Sequence, residues 1–363
     1  MSDSSELLLA VDFAGTGLHP SSWRRDDSCA EELFTPRYWA DLVGAADRAG
    51  VDLAFFSDTF GVVSGATTVQ GRLEAVGLAA RLTTATTRIG LIPTATVTHT
   101  EPFHVAKAIQ TIDHTTLGRA GWEVAVTPGV VELFGRKDEQ DTASLWAEAH
   151  EAAEVAVRLW DSWEDDAEIR DVATGRFIDR DKVHYIDFVG EYFSVKGSSI
   201  VPRSPQGQPL VAATVTGDES FGFAAQRADL VRIRATDLSA ASELAGRLRA
   251  AAKGRQIFVL LDLDVLLGDD AAEELARLET WAGQPYRSDT LVHVGASESL
   301  IELLDDVAGV DGVTLRPLAL PSTLGRLVED VLPVVRPEVA PATGTLRDRL
   351  GLSRPANRFA AAH

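Results

Sequence analysis

Eight times along the chain a run of β-prone apolar residues is followed by a segment of helical periodicity. That alternation restricts the chain to parallel strands joined by crossover helices. The runs are Leu7–Phe13, Val51–Ser57, Arg88–Pro93, Gly121–Thr127, Pro209–Val215, Asp229–Ile233, Gln256–Asp264 and Gly312–Arg316. Several are unbroken apolar stretches, as strands covered on both faces should be. Helices are expected over Pro36–Ala49, Leu73–Thr83, Pro102–Thr115, Leu145–Trp163, Ser220–Ala228, Leu238–Ala252, Asp270–Trp281, Ser297–Val307 and Ser322–Val331. Thr35 reads as an N-cap, Pro36 as the first helical residue and Gly50 as the stop. This count predicts an α/β fold, a (β/α)8 TIM barrel, over an open doubly wound sheet, which usually carries a ligand-binding glycine turn. Gly15-Thr16-Gly17 continues with Leu18-His19-Pro20, so it lacks the third glycine such a turn needs and reads as a plain turn.

Residues 1–363 are read as one barrel domain. Between the fourth and fifth strands lie about 80 residues, far more than an ordinary crossover needs. The region 128–208 is therefore expected to be an insertion acting as a lid or partner-binding arm. A further short strand is expected at Thr290–Gly295, and Thr345–Asn357 reads as a helix followed by an arm.

Composition narrows function. Acidic residues outnumber basic ones, 54 against 34, for a net charge of −20. Such a surface repels phosphate backbones, so no nucleic-acid partner is expected. No apolar run is long enough to span a bilayer and the N-terminus has no basic flank, so no membrane contact and a cytoplasmic location are expected. Cys29 is the only cysteine, which leaves no intrachain disulfide and no thiolate zinc cluster. The phosphate loop, the HExxH metal helix and the GxSxG elbow are all missing. His99 and His104 are split by Glu101-Pro102, so no metal site is expected there. Asp262 with Asp264, and Asp179 with Asp181, could in principle hold a divalent cation but read as solvated loop acids.

In a barrel of this kind chemistry belongs at the C-terminal ends of the strands. That selects Asp12 and His19, Ser57 and Asp58, Thr94, Thr96, Thr98 and His99, Glu123 and Thr127, Thr214 and Thr216, and Asp262. Hydroxyls and carboxylates with few cations suit a flat hydrogen-bonding ring in a partly apolar slot, with Trp23, Trp122 and Trp146 as candidate walls. His19, Asp58 and His99 are the best-placed candidates for acid–base work.

Long blocks then resemble one known group. LFTPRYWADLVGAADRAGVDLAFFSD (33 to 58), THTEPFHVAKAIQTIDHTTLGRAGWEVAVT (98 to 127), LWDSWEDDAEIRDVATGRFIDRDKVHYIDFVGEYFSVKG (159 to 197), PRSPQG (202 to 207) and TLRDRLGLSRPAN (345 to 357) resemble the bacterial luciferase-like flavin-dependent monooxygenases, in the branch of nitrilotriacetate and dibenzothiophene-sulfone monooxygenases. The resemblance implies a barrel that binds reduced FMN at its mouth, supplied by a separate flavin reductase. It implies that oxygen forms a flavin C4a-peroxide that oxygenates a small organic substrate, which requires exclusion of water. It also implies a homodimer or homotetramer. Carried over by motif, Asp58 matches an acid beside the isoalloxazine, Thr96 and Thr98 a hydroxyl cluster, and Thr127 a hydroxyl near the flavin. Glu123 stands where the family commonly has Asn, which would put negative charge near a reduced flavin. At the phosphate, Ser144 and Trp146 stand for the usual His and Tyr, and Val215-Thr216-Gly217 for Gly-x-Ser. The same scaffold supports hydride transfer with coenzyme F420, so an F420-dependent oxidoreductase is one alternative. A catalytically degenerate, flavin-free subunit is the other.

Overall fold

The computed structural model describes residues 7–61, 68–135, 137–339 and 341–360. Eight parallel strands close into a barrel: β1 Leu8–Asp12, β2 Leu53–Phe56, β3 Gly90–Thr96, β4 Gly121–Ala125, β5 Leu210–Thr214, β6 Leu230–Ile233, β7 Phe258–Leu267 and β8 Gly312–Pro317. Each pairs with its sequence neighbours, β8 pairs with β1, and β6 with β7 completes the circuit. All eight expected runs form barrel strands. The extra strand is present as Leu291–Gly295, paired with the outer half of β7.

The helices follow the periodicity closely. Pro102–Thr115 is observed as expected, and Pro36–Arg48 begins with Thr35 accepting the Tyr38 amide hydrogen. The long helix Thr142–Asp161 starts three residues before its expected first residue because Asp141 caps it through the Ser144 amide. The last expected helix is interrupted, running Leu320–Arg326, a wide turn at Leu327–Val331, and Leu332–Val335.

Alternate residues of parallel barrel strands point inward, and here the inward set changes character along the axis. Near the strand starts it is apolar: Ala10, Leu53, Phe55, Ile92, Leu210, Ala212, Leu230 and Leu260 form one buried cluster with Leu346, Leu350 and Leu352 of the tail. The short helix Leu346–Arg349, capped by Thr345, is thus a plug for the bottom of the barrel. Toward the strand ends the inward set is charged.

Residues 164–208 do not lie over the mouth as a whole. Two small hairpins, Glu168–Asp171 with Arg176–Ile178 and Phe188–Val189 with Ser194–Val195, flank a chain that packs outside the barrel. Glu151 of the long helix accepts the amide hydrogens of Glu191, Tyr192 and Phe193. Buried Arg203 joins Asp161 and Asp165 and donates to the Pro355 carbonyl, tying the insertion to the tail. The parts of 128–208 that reach the mouth are Trp146 of the long helix and the turn Val131–Phe134, whose Phe134 ring packs on Phe60 at 4.7 Å and His99 at 4.6 Å.

Candidate active site at the barrel mouth

Two cavities open at the C-terminal ends of the strands and share a wall made by Leu18, Ser57 and Asp58. The first, about 360 Å³, lies beside the loop after β1. The second, about 280 Å³, lies over the barrel axis. The loop after β1 is placed by Gly17, whose φ is +134°; a Cβ there would come within 2.3 Å of the Leu318 carbonyl oxygen, so the chain can run this close only as glycine.

That loop carries His19 into the first cavity. The Ser21 amide donates to His19 Nδ1 at 3.2 Å, so the neutral ring carries its proton on Nε2. Burial holds His19 below the ordinary imidazole value. His19 is therefore a neutral N–H donor facing the cavity, and Tyr286 packs 5.6 Å from its ring.

Beneath the second cavity sits a buried ion network. Arg232 donates to Asp262 at 2.8 and 3.1 Å, to Asp12 at 2.7 Å and to Glu123 at 3.4 Å. Burial opposes its charge, but the carboxylates of Asp262, Asp12 and Glu123 outweigh that and keep it firmly protonated. Glu123 also accepts from Thr94 at 2.5 Å and Thr214 at 2.7 Å, and Asp12 from Ser57 at 2.9 Å. The negative charge expected of Glu123 at a flavin is thus spent inside the barrel. Asp262 and Asp264 are fully buried, which corrects their reading as solvated loop acids. Arg316 and Arg234 lie against Asp262, and Tyr286 and Ser288 donate to Asp264. Among the described residues no cluster of three or more metal-ligating side chains occurs.

The other expected residues divide. Thr96, Thr98 and Thr127 do come together: Thr127 bonds Thr96 and Thr59 at 3.2 Å, and its amide donates to Thr98. Their hydroxyls bind the loops after β2, β3 and β4 to one another. Asp58 lines both cavities, but its oxygens accept from Thr59, Arg72 and Ala75, so it anchors the start of the helix Ala75–Leu82. His99 has φ +61° and lies under Phe134 with both ring nitrogens shielded from solvent, outside the lining of either cavity. Trp146 lines the second cavity with Thr216, and its indole N–H makes no hydrogen bond to the described residues. Ser144 lies two residues away, about 200° around the helix, where Tyr192 of the insertion faces it, so it does not join Trp146. The amides of Thr216 and Gly217 both donate to Ser220 Oγ, at 2.8 and 2.9 Å. Trp122 is wholly buried against Trp160, and Trp23 is on the surface, so neither is a cavity wall.

Sequence reasoning missed Arg72, Arg232, Arg234, Arg316 and Tyr286. A signal was present for two of them: Arg232 and Arg316 interrupt apolar strand runs at inward positions, where only a paired charge can be buried.

A family model described as luciferase-like monooxygenase matches residues 12–309. The chain belongs to the luciferase-like monooxygenase family. It is 35% identical over 246 residues to N-acetyl-S-(2-succino)cysteine monooxygenase of Bacillus subtilis (strain 168), spanning 67% of this chain and 56% of that protein. It is 26% identical to nitrilotriacetate monooxygenase component A of Aminobacter aminovorans over 99% of both chains. The crystal structure of long-chain alkane monooxygenase superposes with a TM-score of 0.86 at 22% identity, covering 96% of each chain. An F420-dependent secondary alcohol dehydrogenase shares the fold less closely, with a TM-score of 0.67 at 15% identity.

Proposed function

We infer that this protein is a monooxygenase that uses reduced FMN and molecular oxygen on a small organic substrate. The carrying observation is the pair of adjoining cavities at the strand ends in a chain of this family, one over the axis and one holding the neutral His19 donor. Reduced flavin, when bound, supplies the two electrons with which one oxygen atom enters the substrate and the other leaves as water.

The residues present fit such a group. The second cavity offers an uncommitted indole N–H at Trp146 and the Thr216 hydroxyl for the phosphate end, and the acids around it are already paired. Asp58 and Arg72 fix the loop that separates the cavities. His19 presents Nε2–H to a developing negative charge without itself taking a proton. Phe60, Phe134 and His99 form an apolar cover over the hydroxyl cluster and keep water from that side. A separate flavin reductase as electron donor is supported by the component A name of the Aminobacter relative. Self-association as a homodimer or homotetramer is supported by exposed apolar residues on the insertion, among them Val172 and Phe177; a monomer mass by light scattering would contradict it.

The test supplies reduced FMN through a generic reductase under ¹⁸O₂ with thioether and amine acids as substrates. Substrate-dependent ¹⁸O in the product supports the reading. Flavin oxidation to hydrogen peroxide with no labelled product from any substrate contradicts it.

A further inference from the structure

The three arginines that line the second cavity are used differently. Arg232 commits its nitrogens to Asp12, Asp262 and Glu123. Arg316, only 8% exposed, lines the same cavity, yet its Nε and Nη1, both shielded from solvent, make no hydrogen bond to a described residue. Its Nε lies 3.3 Å from Asp264 and its Nη1 3.5 Å from Asp262, close enough for ion pairing but without hydrogen-bond geometry. Arg234 beside it is half committed, through Nε to Asp262 and Nη1 to Asp289.

The acids that line this cavity are all taken. Asp12 is held by Ser57 and Arg232, Glu123 by Thr94, Thr214 and Arg232, and Asp58 by Thr59, Ala75 and Arg72. Asp262 and Asp264 stand behind the guanidinium groups, fully buried, and Asp264 also accepts from Tyr286 and Ser288. What a ligand entering the cavity meets is therefore a guanidinium that Asp264 and Asp262 pair from behind but that makes no hydrogen bond through Nε or Nη1. A buried guanidinium without hydrogen bonds is costly, and the planar group that matches its fork is a carboxylate.

We propose that Arg316, seconded by Arg234, binds a carboxylate of the substrate, so that the substrate is a small organic acid. This rests on the reading that the mouth receives substrate, but its test requires no turnover. Succinate and its neutral isostere succinamide are titrated calorimetrically into the purified protein, with and without oxidised FMN. The same titrations are made on Arg316→Gln and Arg316→Lys. Wild type should bind succinate at least tenfold more tightly than succinamide. Arg316→Gln should lose that preference, and Arg316→Lys should keep the preference with weaker binding, since charge remains and the fork is gone. If Arg316→Gln does not fold, the lysine variant decides. Equal binding of the two ligands to wild type, binding of neither at millimolar concentration, an unchanged preference in Arg316→Gln, or undiminished succinate affinity in Arg316→Lys overturns the proposal. Loss of FMN binding with the succinate preference intact would contradict the flavin reading while leaving this one standing.

Discussion

The two halves of the barrel interior are built on opposite principles. The lower half is closed by aliphatic side chains and the tail plug of Leu346, Leu350 and Leu352, where any residue of similar shape would serve. The upper half buries at least four acids and two arginines, where each charge depends on a named partner. A buried ion network is a poor way to gain stability, because desolvation offsets most of its attraction. Its presence inside the barrel at the mouth marks that end as the one selected for binding and chemistry.

The difference can be broken most violently at Arg232. Arg232→Met leaves Asp12, Glu123 and Asp262 buried without their cation and should cost about 3–5 kcal/mol, read as a fall in thermal midpoint or failure to fold. In the lower half, Leu346→Ala should cost about 2–5 kcal/mol through the cavity it leaves, with flavin affinity unchanged in a titration of the folded protein. If Leu346→Ala weakened flavin binding as much as it weakened the fold, the halves would not be separable.

A smaller effect is expected at Thr94→Val, which removes one donor to Glu123 and should cost about 1–3 kcal/mol by denaturant unfolding. At the phosphate end, the amides of Thr216 and Gly217 are spent on Ser220, and the exposed Asp218 and Glu219 occupy the first helical turn. FMN should therefore exceed riboflavin in affinity by less than about tenfold. Asp218→Asn with Glu219→Gln should raise FMN affinity about three- to thirtyfold, by relief of about 0.3–1 kcal/mol per charge, and leave riboflavin unchanged in the same fluorescence titration.

The smallest effect concerns the clamp that holds the tail under the barrel. Burial raises Glu154, but hydrogen bonds from Arg158, Arg227 and Arg358 outweigh it and bring it to about 2. The hydrogen bond from Arg354 likewise brings Asp165 to about 2. Because the folded values lie below the ordinary ones, the stability these acids add is complete above the usual carboxylate range, near pH 4. It is lost as pH falls through about 2. Melting curves between pH 6 and pH 2 should show wild type losing more stability than Arg358→Ala, with the two converging in acid.

Much of this architecture could be read from the chain. All eight strands follow from apolar runs because a barrel strand is buried on both faces, and the helices follow from period and from the Thr35 cap, while the Asp141 cap was not legible and shifts one helix start by three residues. Thr96 and Thr98 were legible as a hydroxyl cluster, and Thr127 as a separate hydroxyl, only through the family resemblance; they meet because adjacent strands end at one level. The ion network was not, since the pairing of Arg232 with Asp12 spans 220 residues and depends on closure of the ring. Nor was the face of Ser144, because a two-residue step on a helix turns a side chain nearly to the opposite side.

The account is tested most directly by anaerobic titration of the purified protein with reduced FMN and, separately, with reduced F420, with the flavin-bound sample then mixed with oxygen in a stopped-flow spectrometer. Saturable, stoichiometric binding of reduced FMN, followed by oxygen-dependent spectral change in the bound flavin, is the expected result. Binding of reduced F420 alone, or of neither, would contradict it.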